Sequence, residues 1–199
     1  MIYLVRHGET EWNVERRIQG RRESDLTPLG LAQARAMAAR LAGLVDGSAS
    51  EFQLVSSPQG RALATAAAIS ERLGLTVRVD ERLAEISCGE WEGRLRQEIA
   101  HVHPDRFAAR EWFFGAPGGE TFEDVWARVS EFLADLPREP ERRVIAVSHG
   151  VAGRLLRGAY AGLSRQATID QDVPQDAFYR LAGGRIERID CDPERSPGV

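Results

Sequence analysis

Short apolar runs at residues 2–5, 52–55, 76–79 and 143–147 alternate with longer stretches of helical period, and that alternation limits the chain to one class of architecture. Strands that follow helices in turn build a largely parallel sheet covered on both faces. The expectation is an α/β fold: a three-layer α/β/α sandwich around a mostly parallel sheet. Helix signals support it. Thr27 is placed as an N-cap before Pro28, and Ala34, Met37, Leu41, Leu44 and Val45 then recur at helical spacing up to Asp46-Gly47-Ser48. Ser56-Ser57-Pro58 repeats the cap-then-proline signal for a helix reaching about Leu73 and stopped by Gly74. Thr121 with Asp124 forms a capping box for a helix whose stripe, Phe122, Val125, Trp126, Val129, Phe132, Leu133 and Leu136, reads as core. A further helix is expected over residues 151–160. Two late runs, 177–181 and 185–189, flank Gly183-Gly184 as a hairpin. Residues 12–19 read as a loop with a helical turn, and residues 94–118 as the least regular part. The chain is expected to fray from Cys191 onward.

Two of the strands end alike. The first runs into Arg6-His7-Gly8 and the fourth into Ser148-His149-Gly150. Open α/β sheets bind ligands beyond the carboxyl ends of their strands. If these two strands are neighbours, both imidazoles meet at one sheet edge, beside the helix that begins near Pro58. Gly8 would let the backbone turn sharply and a substrate approach closely.

Composition excludes several classes. No apolar stretch approaches the ~20 residues that span a bilayer, and the amino terminus lacks the pattern of a signal peptide. Cys88 and Cys191 are far apart without metal-type spacing, which points to a reducing, cytoplasmic setting. The net charge of −4 argues against nucleic-acid binding through bulk electrostatics. All 26 basic residues are arginine, so any cation offered to an anion is a planar fork suited to carboxylate or phosphate. The length of 199 residues suits one domain.

The ordered set Arg6-His7-Gly8-Glu9-Thr10, Trp12-Asn13, Gln19-Gly20, Leu26-Thr27 with Gly30, Ser57-Pro58 with Arg61 and Ala64-Thr65, Glu85 with Gly89 and Trp91-Glu92-Gly93, and Ser148-His149-Gly150 resembles the histidine phosphatase superfamily. The likeness is to the branch holding cofactor-dependent phosphoglycerate mutases and their phosphatase relatives. It implies a single domain over residues 1–199, with 94–118 as a lid insertion. It also implies a metal-independent, acid-type phosphatase that needs no cofactor. By the resemblance His7 attacks phosphorus and holds it as phosphohistidine, Arg6 and Arg61 clamp the equatorial oxygens, His149 adds a donor, and Glu85 protonates the leaving alcohol. Asn13, Gln19, Gly20 and Gly150 are implied as substrate-binding.

The chemistry is consistent with those residue types. Phosphate monoester hydrolysis can require an acceleration near ~10²¹, roughly 28 kcal/mol of barrier, and much of it comes from positioning and charge stabilisation. A carboxylic acid beside an incoming dianion is a natural proton donor. Glu92 is a rival for that role and Glu9 a weaker one. His101 and His103 could suggest a metal, but two histidines beside Pro104 read better as surface residues, and Cys88 reads as inert.

Mutases of this family carry Glu-Arg-His-Tyr-Gly around the acid, adjacent lid arginines, and Gly-Asn after the second histidine. This chain has Glu85-Ile86-Ser87-Cys88-Gly89, no arginine pair in 94–118, and Gly150-Val151. The reading is therefore a phosphatase acting on a small phosphate ester, with the mutase and a non-catalytic phosphate-binding module as alternatives. Arg21 and Arg22 could still reach an acidic substrate. Trp112, Phe113 and Phe114 suit an apolar leaving group or simply pack the lid, and exposed lid aromatics would permit a homodimer without requiring one.

Overall fold

β1 (Ile2–Arg6) is buried at every position but its last, as a continuous apolar run at the centre of a sheet should be. The computed structural model describes residues 1–191 apart from Asp46 and Pro140. After β1 come α1 (Glu11–Val14), α2 (Pro28–Leu44), β2 (Gln53–Ser56), α3 (Gly60–Leu73) and β3 (Val77–Val79). The second half holds α4 (Arg96–Val102), α5 (Pro104–Phe107), α6 (Phe122–Asp135), β4 (Val144–Ser148), α7 (Gly150–Ala161), α8 (Arg165–Ile169), β5 (Ala177–Ala182) and β6 (Arg185–Asp190).

One open six-stranded sheet results, in the order β3-β2-β4-β1-β5-β6. Its first four strands are parallel, while β5 and β6 run antiparallel at one edge. Side chains alternate across a strand, and β1 feeds two cores accordingly. Ile2 and Leu4 pack with Val125, Val129 and Leu155 of α6 and α7. Tyr3 and Val5 pack with Met37, Leu41 and Ile69 of α2 and α3. Three layers follow directly from that alternation. β1 and β4 are adjacent with Arg6 opposite Ser148, so the residues just beyond, His7 and His149, emerge side by side.

The caps explain most boundaries. Thr27 Oγ1 accepts from the Gly30 amide at 3.0 Å with Pro28 at the first helical position, and Thr121 and Asp124 form the expected box. The α6 stripe is core, with Trp126, Leu133 and Leu136 at its half-buried margin. Several local expectations are corrected. α3 opens only at Gly60, and its N-cap Gln59 makes no capping bond, because Ser57 and Gln59 spend their side chains elsewhere. Leu44 is 36 % exposed at the end of α2, where Ala36 and Ala38 fill the buried face instead. α8 was not anticipated, although Ser164 caps it by accepting from the Ala167 amide.

Residues 94–118 are more ordered than their composition suggests. α4 and α5 meet at Pro104, and a single 3-10 turn, Trp112–Gly115, follows. Phe107 and Trp112 stack at 4.6 Å, and Phe113 is buried. His103 lies against Trp91 at 5.5 Å and is half-buried, so of the two histidines read as surface residues only His101 is exposed. Among the described residues no group of three or more His, Cys, Asp or Glu is arranged to hold a metal, and no helix is long and apolar enough to cross a membrane. Cys191 itself is buried; the rest of the segment expected to fray, and Asp46 at the end of α2, lie outside the described residues.

Candidate active site

The end of β1 turns over a glycine contact. A Cβ on Gly8 would meet the Gly30 carbonyl oxygen at 2.2 Å, so Gly8 serves the packing of the strand end against α2 and not the approach of a substrate. In that turn His7 Nδ1 lies 2.7 Å from the Gly8 carbonyl oxygen. A carbonyl only accepts, so Nδ1 carries the proton and the lone pair sits on Nε2. His7 is 3 % exposed, and its ring lines a cavity of about 290 Å³. Burial first, then the charges of Arg6 and Arg61, hold its pKa well below the usual imidazole range. The ring is therefore neutral at pH 7 and able to act as a nucleophile.

His149 stands beside it, with ring centroids 5.1 Å apart and the planes inclined at 57°. Its Nε2 is 2.7 Å from Ser57 Oγ, while its Nδ1 has no partner among the described residues. Burial, followed by Arg61, His7 and Arg6, keeps this imidazole neutral too. His149 lines a second, smaller cavity together with Arg6 and Gly150, and not the one His7 faces.

Two guanidinium groups flank the histidines. Arg61, in the first turn of α3 and 2 % exposed, donates Nη1 to the Arg22 carbonyl at 2.7 Å and Nη2 to the Gly20 carbonyl at 2.8 Å. Arg6 donates to the Val173 carbonyl. Burial draws the Arg6 pKa down to about 10, Glu85 opposes the fall, and Arg96, Arg154 and Arg61 add to it. In both arginines the buried Nε has no partner among the described residues. Buried donors are normally satisfied, so unspent N–H groups beside a neutral imidazole mark where an anion belongs.

The remaining candidates converge on the same cavity. Asn13 Oδ1 accepts from the Thr10 amide at 3.1 Å and from Gln175 Nε2 at 2.9 Å, which uses both lone pairs and leaves Nδ2 as the free donor. Gln19 donates Nε2 to Thr10 Oγ1 at 2.8 Å, and its Oε1 is unpartnered. Gly20 and Gly150 also line the wall. Glu85 lines it from the other side, its carboxylate accepting from the amides of Ile86, Val151 and Ala152 at 3.0–3.2 Å, across the start of α7. Neither rival acid is in place. Glu92 Oε1 braces the amides of Arg21 and Cys88, and Glu9 accepts from the Thr27 hydroxyl. Cys88 borders the cavity, but burial pushes its thiol pKa far up. Arg21 pairs with Glu120 and is not among the residues lining the cavity, nor is Arg22.

Some contributors escaped the sequence reading. Gln59 joins two segments, accepting from the Glu85 amide at 2.7 Å and donating to the Gly20 carbonyl at 3.0 Å. Gln175 and four arginines, Arg17, Arg96, Arg110 and Arg154, were also missed. Only Arg154 carried a signal, lying one helical turn after Gly150.

Comparison with known proteins identifies the family. The family model of the histidine phosphatase superfamily (branch 1) matches residues 2–184. Glucosyl-3-phosphoglycerate phosphatase of Mycobacterium tuberculosis is 41 % identical over 160 residues, 75 % of this chain and 70 % of that protein. The probable phosphoglycerate mutase GpmB of Proteus mirabilis is 37 % identical over 196 residues, 95 % of this chain and 84 % of that protein. A mycobacterial glucosyl-3-phosphoglycerate phosphatase solved with VO3 superposes with a TM-score of 0.77 at 36 % identity, covering 96 % of each chain. With two imidazoles and two buried guanidinium groups brought together from distant segments, and with nearly its whole length matched, the chain belongs to branch 1 of the histidine phosphatase superfamily.

Proposed function

We propose that the chain hydrolyses small phosphate monoesters through a phosphohistidine at His7. The observation that carries this reading is the orientation of that ring, with its proton held by the Gly8 carbonyl and its Nε2 lone pair beside unspent arginine N–H groups. Nε2 attacks phosphorus in line, and the bond from phosphorus to the alkoxide oxygen breaks. Arg6, Arg61, the Asn13 amide and His149 Nδ1 stabilise the charge on the equatorial oxygens. For His149 to donate from Nδ1, the Ser57 hydroxyl must donate to Nε2, which their contact permits. Glu85, which takes up a proton as the phosphate dianion enters beside it, gives that proton to the leaving oxygen. Water then attacks phosphorus, its proton passes to Glu85, the P–N bond breaks, and phosphate departs with His7 neutral again. The arginines and histidines supply the charge stabilisation, so no metal enters the scheme.

Residues 94–118 act as the lid in this reading, because Arg96, Arg110, Trp112 and Phe113 all face the cavity. Both cysteines are free and buried, in keeping with a reducing compartment such as the cytoplasm. The arginine-rich wall and the likeness to GpmB favour phosphoglycerate mutation as the second reading. Incubation with p-nitrophenyl phosphate in excess EDTA, followed by alkaline quench, separates the alternatives. Steady release of phosphate with an acid-labile phosphoenzyme is expected. Tight phosphate binding without turnover would leave a binding module, and bisphosphate-stimulated conversion of 3- to 2-phosphoglycerate would make the chain a mutase.

A further inference from the structure

Arg157 is 3 % exposed within α7, yet it is not among the residues that line the cavity at His7. Its guanidinium lies 3.8 Å from the centre of the Tyr179 ring. Nε donates to the Gly153 carbonyl of the same helix at 3.3 Å, and Nη2 to the Asp172 carbonyl at 2.6 Å. Nη1 stands 3.6 Å from the Asp172 carboxylate, to which the Tyr179 hydroxyl and Arg188 Nη1 also donate. A buried ion pair is a poor stabiliser, since a well-packed apolar side chain of similar volume serves as well or better. What a buried guanidinium supplies is direction: several donors in one plane hold two backbone segments in a single arrangement.

The segment held in this way is the connection from α8 to β5, residues 170–176, which no helix or strand covers. Arg154, three residues before Arg157 on α7, donates Nε to the Gln171 carbonyl at 2.7 Å. Gln171 Nε2 donates back to the Arg154 carbonyl at 3.0 Å. Pro174 confines the residue before it, Val173, to extended backbone, so fixing Asp172 also aims the next carbonyl. That Val173 carbonyl accepts from Arg6 Nη1, while the buried Arg6 Nε stays unspent. Arg6, Val173, Arg157 and Tyr179 all border the smaller cavity that His149 lines.

We infer that Arg157, with Asp172 and Tyr179, is a positioning lock for Arg6. It holds residues 170–176 so that the Val173 carbonyl fixes the Arg6 guanidinium, leaving Nε for the phosphoryl group. The inference rests on the reading that Arg6 binds that group. Helix α7, which begins directly after His149, thereby grips the end of β1 through a segment that itself touches no reacting atom.

Calorimetric binding of inorganic phosphate tests the lock. Asp172 is half exposed and keeps Arg188, so Arg157→Met strands no charge. That variant should keep its urea midpoint, bind phosphate about tenfold more weakly and lose about tenfold in kcat/KM for p-nitrophenyl phosphate. In an Arg6→Met background the same substitution should cost less than about twofold in phosphate affinity. Wild-type affinity in Arg157→Met, or a tenfold cost that persists without Arg6, overturns the lock. Should Arg157→Met fail to fold, Tyr179→Phe carries the test, because it keeps the ring and removes only the hydroxyl bond to Asp172. Phosphate should then bind about threefold more weakly, again only when Arg6 is present, and unchanged affinity overturns the lock. Phosphate binding reads the lock without turnover, so absence of p-nitrophenyl phosphate hydrolysis in the wild type would count against the hydrolase reading alone.

Discussion

The floor of the cavity and its rim are built on different principles. His7 and Arg6 are held at the floor, with His149 beside them at the smaller cavity, by the register of two adjacent parallel strands, and Arg61 by two backbone carbonyls. Arg96 and Arg110 stand at the rim on α4 and in the turn after α5, both exposed. Backbone geometry fixes what the floor can do, whereas side chains on short elements decide what the rim admits. In the proposed reaction the two regions are expected to be separable: one can be altered while the other stays.

The largest expected effect tests that separation. His7→Ala should lower kcat/KM by at least about a thousandfold for every phosphate ester alike. A loss that differed between acidic and neutral substrates would show that floor and rim are not independent. Next in size is the response to pH. Both floor histidines have lowered pKa values in the folded protein. Below about pH 6.5 the unfolded chain therefore binds protons that the native state refuses, and stability falls as pH falls. The slope contributed is up to about 1.4 kcal/mol per histidine per pH unit. Urea midpoints at pH 7.5 and 5.5 should show the loss, and His149→Gln should make it shallower; an equal slope in that variant would mean the imidazole is not held neutral.

The smallest effect sharpens the boundary between the two regions. Gln175 donates Nε2 to Asn13 Oδ1 at 2.9 Å, holding in place a side chain that lines the cavity. Gln175→Met should cost about fivefold to tenfold in kcat/KM for p-nitrophenyl phosphate, the worth of one hydrogen bond. Because Gln175 acts through Asn13, the cost should vanish in an Asn13→Ala background. Persistence there would assign Gln175 to packing.

The same division explains what could be read from the chain. Strand ends are local, so Arg6-His7-Gly8 and Ser148-His149-Gly150 announced the floor, and the family pattern ordered the rest around it. Glu85 could be favoured over Glu92 only by resemblance; the physical reason, its seat across the start of α7, depends on packing between segments 66 residues or more apart. The rim was opaque for a simpler reason. Where all 26 basic residues are arginine, nothing distinguishes Arg96 from its peers until folding leaves it without a carboxylate among the described residues. Gln175 lies 162 residues from Asn13, beyond any local pattern. α8 was missed because its one signal, Ser164, opens a helix too short to show a period.

The contact between Gly8 and Gly30 ties a distant helix to the turn that orients the His7 ring, the nucleophile of the proposed reaction. A methyl group added at position 30, on a residue that faces no ligand, would drive into the Glu9 carbonyl and shift the turn that keeps the proton on Nδ1. Damage to the scaffold there would register as a tautomer error: a ring still in position, presenting hydrogen to phosphorus where it should present electrons.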